Sequence, residues 1–215
     1  LHHTAEKGHF AAARLLIANG SKIDTVSKNR QTPLLLAAAC GQEQSLQAWL
    51  DTEGPVKPAP QPLSDTNKME NVSIVQELLR HGANMEAKDI YGLTALYRAT
   101  LFANPTMVEI LLRAQAESDI RDQMGRTPLH LAARDGYQSV VEKLVEGKAD
   151  IEAADNLSRT PLSFAAKFGQ SSVVRHLLLH GANVNTVDKL QRSPLRKATE
   201  KGHERVVQHL LDYGA

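Results

Sequence analysis

Leucines 96, 129, 162 and 195 stand 33 residues apart, each preceded by Thr or Ser and one further residue. Self-similarity at that period is the signature of a chain built from stacked supersecondary units, so the 215 residues need not divide into compact domains. The phase runs back to Leu63, then to Leu34 after a step of 29, and to Leu1 after another 33. Seven units can thus be laid along one array covering 1–215, starting near residues 1, 32, 61, 94, 127, 160 and 193.

Each unit reads as two helices and an extended finger. In Thr127-Pro128-Leu129-His130-Leu131-Ala132-Ala133, Thr127 can cap free backbone N–H groups, and Pro128 takes a first-turn position where its missing donor costs nothing. Thr160-Pro161 and Ser193-Pro194 repeat the device. The small pairs Ala132-Ala133 and Ala165-Ala166 let helices approach closely. Gly136, Gly169 and Gly202, seven residues after the phase-setting Leu, end the first helix in a left-handed conformation. Second helices carry the stripes Val140, Val141, Leu144, Val145 and Val173, Val174, Leu177, Leu178, and Gly181 and Gly214 close the last two. With aromatics at 4% of residues and apolar types at 42%, the core must come from Leu, Val, Ile and Ala, which favours an all-helical chain.

These residues resemble the ankyrin repeat, through Thr-Pro-Leu-His, the glycine turn, Val-Val-x-x-Leu-Leu, and Gly82-Ala83-Asn84 and Gly181-Ala182-Asn183. The resemblance covers nearly the whole chain and implies an all-α ankyrin-repeat solenoid, stacked antiparallel helix pairs with short β-hairpin fingers. Departures from the pattern are informative. Pro55, Pro58, Pro60 and Pro62 make 54–62 an irregular Pro-rich segment where a finger is expected. The third unit's first helix, from Leu63 to Glu70, lacks the alanine pair and is expected to stack loosely, as a joint. In the fourth unit Ala95 replaces the proline and Ala103 the turn glycine, while Asn104-Pro105 supplies a cap to the following helix. Leu1 falls inside a first helix and Gly214-Ala215 is followed by no polar closing helix, so the chain is expected to be a fragment.

Chemistry of other kinds finds little support. Twenty-five Lys and Arg against 24 Asp and Glu, interspersed, give no nucleic-acid or membrane-surface footprint. No apolar run is long enough for a membrane span. His176 and His180 lie one helical turn apart with no third ligand, and His180 is read as meeting the helix dipole. His203-Glu204 opens like a zinc-protease motif, but His209 is two residues too far along to share the face. His130 is expected to bond toward Thr127 or a neighbouring turn. Cys40 has no histidine in its own unit, and a lone thiol fits a reducing compartment, cytoplasmic or nuclear. Trp49, with Leu46 and Leu50, is read as core; Pro55–Pro58 as stiff filler; Asn71 and Asn156 as unmodified despite acceptor patterns. No catalytic residue, cofactor or metal is expected.

The family resemblance implies a protein partner on the concave face of fingers and first helices. Equivalent residues of adjacent units lie side by side, so Tyr91, Met124, Leu157 and Leu190 are expected to form an apolar stripe at solvent-facing finger tips. Arg126, Arg159 and Arg192 form a second stripe, read either as a locally paired ladder or as direct partner contacts. Phe102 and Phe168, ahead of the turn glycine site, extend the candidate face toward the helices. The leading function is a recognition scaffold without catalysis. The alternative is a sensing or scaffolding arm of a larger enzyme or signalling ATPase, with other domains of a longer chain outside 1–215.

Overall fold

Capping residues and turn formers divide the chain into short helices, and a computed structural model shows how these pair. It describes residues 1–39 and 65–215, with side chains from 69 onward in the second stretch. Cys40, Trp49 with its apolar stripe, Leu63 and the Pro-rich segment lie outside the described residues. The described residues fall into two compact bodies, 1–39 with 65–117, and Ser118–Ala215. No strand occurs among them.

The first body contains α1 (His2–Lys7), α2 (Phe10–Ala18), α3 (Pro33–Ala38), α4 (Asp65–Arg80), α5 (Ala95–Leu101) and α6 (Pro105–Arg113). The second contains α7 (Pro128–Asp135), α8 (Gln138–Glu146), α9 (Pro161–Lys167), α10 (Ser171–Leu179), α11 (Pro194–Glu200) and α12 (Glu204–Asp212). Cap hydroxyls start the first helices as expected: the N–H groups of Leu35, Ser163 and Arg196 donate to Thr32, Thr160 and Ser193 at 3.3, 3.3 and 3.2 Å. The helices end where Gly136 and Gly169 turn left-handed at φ 76° and 72°. Ala103 takes the same turn at φ 51°, and Asn104 then caps α6 by accepting the Met107 N–H at 3.0 Å. The fourth unit therefore folds without its glycine, at a strain of about 1–2 kcal/mol.

In the second body α7, α9 and α11 pack in order as one layer, and α8, α10 and α12 as the other. The alanine pairs Ala132-Ala133 and Ala165-Ala166 are sealed within the first layer. Val140, Val141, Leu144, Val173, Val174 and Leu177 are all buried, each contributing on the order of 1.5–3 kcal/mol. Neighbouring repeats share a fixed bond pattern. The Asp150 N–H donates to Asp119 and the Asn183 N–H to Glu152, at 3.0 and 2.8 Å, each across 31 residues. The N–H groups of Asn156 and Lys189 reach the carbonyls of Met124 and Leu157, both at 3.0 Å and across 32 residues. Gln170 stands over Gly136 and His203 over Gly169, 34 residues on.

The same pattern recurs in the first body at longer separations. The Asn84 N–H donates to Asp24 at 3.0 Å, 60 residues apart; the Ile90 N–H reaches the Asn29 carbonyl at 3.3 Å, 61 apart; Asn71 stands over Gly8, 63 apart. Every separation exceeds its regular counterpart by 29. Correspondingly α3 packs directly against α5 in the first-helix layer, and α4 occupies the second-helix layer against α2 and α6. Helix α3 pairs with α4, and the surplus residues are those between the two helices together with the first turns of α4. Helix α4 is accordingly a single 16-residue helix in place of a loosely stacked pair. The position that holds glycine in other turns is Glu70 here, and nothing in Lys68-Met69-Glu70-Asn71 ends a helix.

Candidate protein-binding face

Four aspartates at the 33-residue period, Asp89, Asp122, Asp155 and Asp188, build the fingers, and all four are buried. Each follows one scheme. Asp122 Oδ1 accepts the N–H groups of Met124 and Arg126, both at 2.9 Å, while Oδ2 accepts Arg126 Nε at 2.7 Å. Asp155 does the same with the N–H groups of Leu157 and Arg159 at 2.9 and 2.8 Å, and with Arg159 Nε at 2.7 Å. The carboxylate takes these donors, and two backbone bonds close the finger, Asp122 N–H to the Arg126 carbonyl at 3.0 Å and Gly125 N–H to the Asp122 carbonyl at 2.9 Å, without a strand pair.

The cation that neutralises each aspartate varies. In the fourth unit Leu93 stands where others have arginine, and Arg98 reaches Asp89 from α5, with Nε at 3.0 Å and Nη2 at 2.7 Å. In the last, Asp188 binds both Arg192 Nη2 at 3.0 Å and Lys197 Nζ at 2.9 Å. Burial alone would raise the Asp188 pKa, but the hydrogen bonds from Lys197 and from the backbone and guanidinium of Arg192 hold it well below the usual carboxylate range. Lys197 also donates to Ser163 Oγ.

The expected stripes are therefore revised. Arg126 and Arg159 are buried against their aspartates and do not present to solvent; Arg159 also lies over the Phe164 ring, 4.6 Å from its centroid. Their guanidiniums are engaged locally by Asp122 and Asp155. Arg192 keeps 34% of its side chain exposed. Along the apolar stripe Leu157 and Leu190 are exposed at 44% and 67%, whereas Met124 and Tyr91 are half-buried. Phe102 and Phe168 are also half-buried, and Phe168 lies 6.4 Å from Phe164 with the Lys167 ammonium 5.1 Å from its ring centroid. The signal that would have found the aspartates is their own 33-residue spacing, as plain as that of the leucines.

His130 joins neighbouring repeats. Its Nδ1 accepts the Thr127 N–H at 3.1 Å and its Nε2–H donates to the Arg159 carbonyl at 2.8 Å, which fixes the neutral tautomer. Burial, opposed by that carbonyl bond and by nearby carboxylates, pushes its pKa down to about 4. His2 makes the equivalent contact to the Gln31 carbonyl at 3.0 Å. His176 and His180 stack at 4.2 Å between centroids, and His180 Nδ1 donates to the His176 carbonyl at 2.8 Å. Among the described residues no group of three or more His, Cys, Asp or Glu could hold a metal ion. No helix among them is long and apolar enough to cross a membrane.

Helix pairs stacked through alanine layers, with aspartate-pinned fingers, define a helical repeat protein of the kind that serves as a protein-interaction scaffold. The sequence profile described as Ankyrin repeats (3 copies) matches residues 66–155 and 148–215, and one described as Ankyrin repeats (many copies) matches 1–48. The chain belongs to the ankyrin-repeat family. The matched stretches stop at 48 and resume at 66, within the surplus sequence of the second repeat. Ankyrin repeat domain-containing protein SAT10 of Stachybotrys chartarum is 30% identical over 106 residues, 49% of this chain. That stretch spans 5% of the relative's own length.

Proposed function

We propose that the fingers of Ser118–Ala215 dock a protein partner and that the chain has no catalytic activity of its own. The observation that supports this is the exposure of Leu157 and Leu190 at equivalent tips, 44% and 67%, on turns whose backbone donors are already held by Asp155 and Asp188. A pre-ordered apolar tip loses little entropy on binding, so contact area converts efficiently into affinity. Met124 and Arg192 flank the two leucines in the sequence of fingers, with Phe168 toward the helices. Tyr91 and Phe102 are the corresponding contacts proposed for the first body. The compartment proposed is the cytoplasm or nucleus, on the single cysteine.

The test is crosslinking to capture the partner, then affinity and melting temperature measured on the same variants. Leu157→Ala with Leu190→Ala lowers affinity by about 2 kcal/mol and leaves the melting temperature nearly unchanged, since both side chains are exposed. Unchanged affinity across the tips moves the binding site elsewhere.

A second reading, a sensing or scaffolding arm of a larger enzyme or signalling ATPase, is favoured by the small share of SAT10 that the chain spans. Determination of the full reading frame tests it, and a frame encoding no further domain eliminates it.

A further inference from the structure

The fingers of the second body also carry a charge pattern, and on the reading that they dock a protein it defines that protein's chemistry. Asp122 with Arg126, and Asp155 with Arg159, are buried pairs that cancel. Asp188 is shared by Arg192 and Lys197, which leaves one positive charge in excess, and Arg192 is its exposed member. Lys189, next to Leu190 at the last tip, is exposed, and so is Arg121. Arg121 is held in place by Nη1 donating to the carbonyls of Gly125 and Ala154 at 3.1 and 2.5 Å, bonds that leave its charge intact.

The carboxylates of the same connections sit on the arm leaving the second helix and are occupied there. Asp119 accepts the Asp150 N–H, Asp150 the Glu152 N–H and Glu152 the Asn183 N–H, at 3.0, 2.9 and 2.8 Å. From Asp122 to Arg126, Asp155 to Arg159 and Asp188 to Arg192, no exposed residue is acidic. The tips themselves thus set apolar side chains beside the exposed cation Lys189 and the partly exposed Arg192. We propose that they take a partner segment in which large apolar side chains stand beside carboxylates: the leucines supply contact area, while Arg121, Lys189 and Arg192 supply steering and register. A basic segment would bring like charges together as water is excluded, and is rejected.

A displayed library of random dodecapeptides, panned on the 215-residue chain, tests the chemistry without assuming a sequence. The expected result is enrichment of Asp and Glu beside Leu, Ile, Phe or Trp. The selected peptides should bind about tenfold more weakly at 0.5 M than at 0.1 M salt, because exposed charges are screened. Lys189→Glu should weaken them by about tenfold or more and Lys189→Arg should not, both variants keeping the parent melting temperature. Selected peptides that require Leu157 and Leu190 but are basic, uncharged or indifferent to salt overturn the acidic chemistry and leave the docking face standing. If no selected peptide is sensitive to Leu157→Ala with Leu190→Ala, both are overturned.

Discussion

Arg98 Nη2 lies 2.7 Å from Asp89 Oδ2 with both side chains fully buried, although the guanidinium comes from nine residues along the chain. In the fingers of Asp122 and Asp155 the arginine is four residues from its aspartate. The carboxylate is the fixed part of the finger and the cation is the replaceable one. Breaking one partner of such a pair strands a charge in low dielectric. Arg98→Ala is therefore expected to cost about 3–5 kcal/mol in urea denaturation. Arg192→Ala should cost about 1 kcal/mol or less, because Arg192 is partly solvated and Lys197 still neutralises Asp188. Equal losses would refute the distinction.

His130 makes stability depend on pH in a defined window. Its native pKa of about 4 lies below the ordinary 6.5, so between these values the unfolded chain binds the proton and the folded one does not. Stability is complete above pH 6.5 and falls as pH drops toward 4, by up to about 3 kcal/mol. Asp188 adds its loss only below its ordinary value of 3.8, outside that window. Denaturation of the parent and of His130→Gln at pH 7 and pH 4.5 should show a shallower pH dependence in the variant. The same slope in both would rule the histidine out.

Gly169 and Gly202 share the left-handed turn, φ 72° and 70°, but not their surroundings. A Cβ at Gly202 meets nothing within 4 Å, while one at Gly169 would stand 2.7 Å from His203 Nδ1. Gly202→Ala should cost about 1–2 kcal/mol of backbone strain. Gly169→Ala should cost about 1 kcal/mol more, since the His203 bond to the Lys167 carbonyl must shift. Thermal melts of the two variants decide it, and a cost at Gly202 equal to that at Gly169 would contradict the packing.

If 29 residues are surplus within the second repeat, they can be removed. Deleting residues 42–70 leaves Gly41 in the turn position and joins it to Asn71, which stands over Gly8. Circular dichroism of the shortened chain should show helix retained and cooperative melting preserved. Stability should be unchanged or slightly higher, because halving a loop saves only about 0.6 kcal/mol. Loss of cooperative unfolding would argue that residue 61 does begin a repeat.

Local signals were legible wherever one residue type answers one backbone need: Thr160 and Ser193 as caps, Gly136 as a left-handed turn, Ala132-Ala133 as a close-approach layer. Periodicity failed where it had to say which helices pair. Leu63 stands 33 before Leu96 and so fits the phase, but phase carries no information about the layer a helix joins. Bonds such as Asn84 to Asp24 decide that, and they depend on three-dimensional neighbours. The arginine stripe was visible and its burial was not, because Arg126 and Arg192 have the same place in the repeat but different access to solvent. The leucine tips are the part of the candidate face on which the repeat register and the exposure of the side chains agree.

The long separation between Asp24 and Asn84 bears on the order in which the chain acquires its structure. Within Ser118–Ala215 the bonds between neighbouring repeats span 29 to 36 residues, short loops that close early and cheaply. The α3–α4 repeat must first bring together ends nearly twice as far apart. Nucleation consequently belongs to the C-terminal body. During synthesis from the N-terminus, residues 1–39 emerge ahead of α4 and await it before α3 has its partner helix.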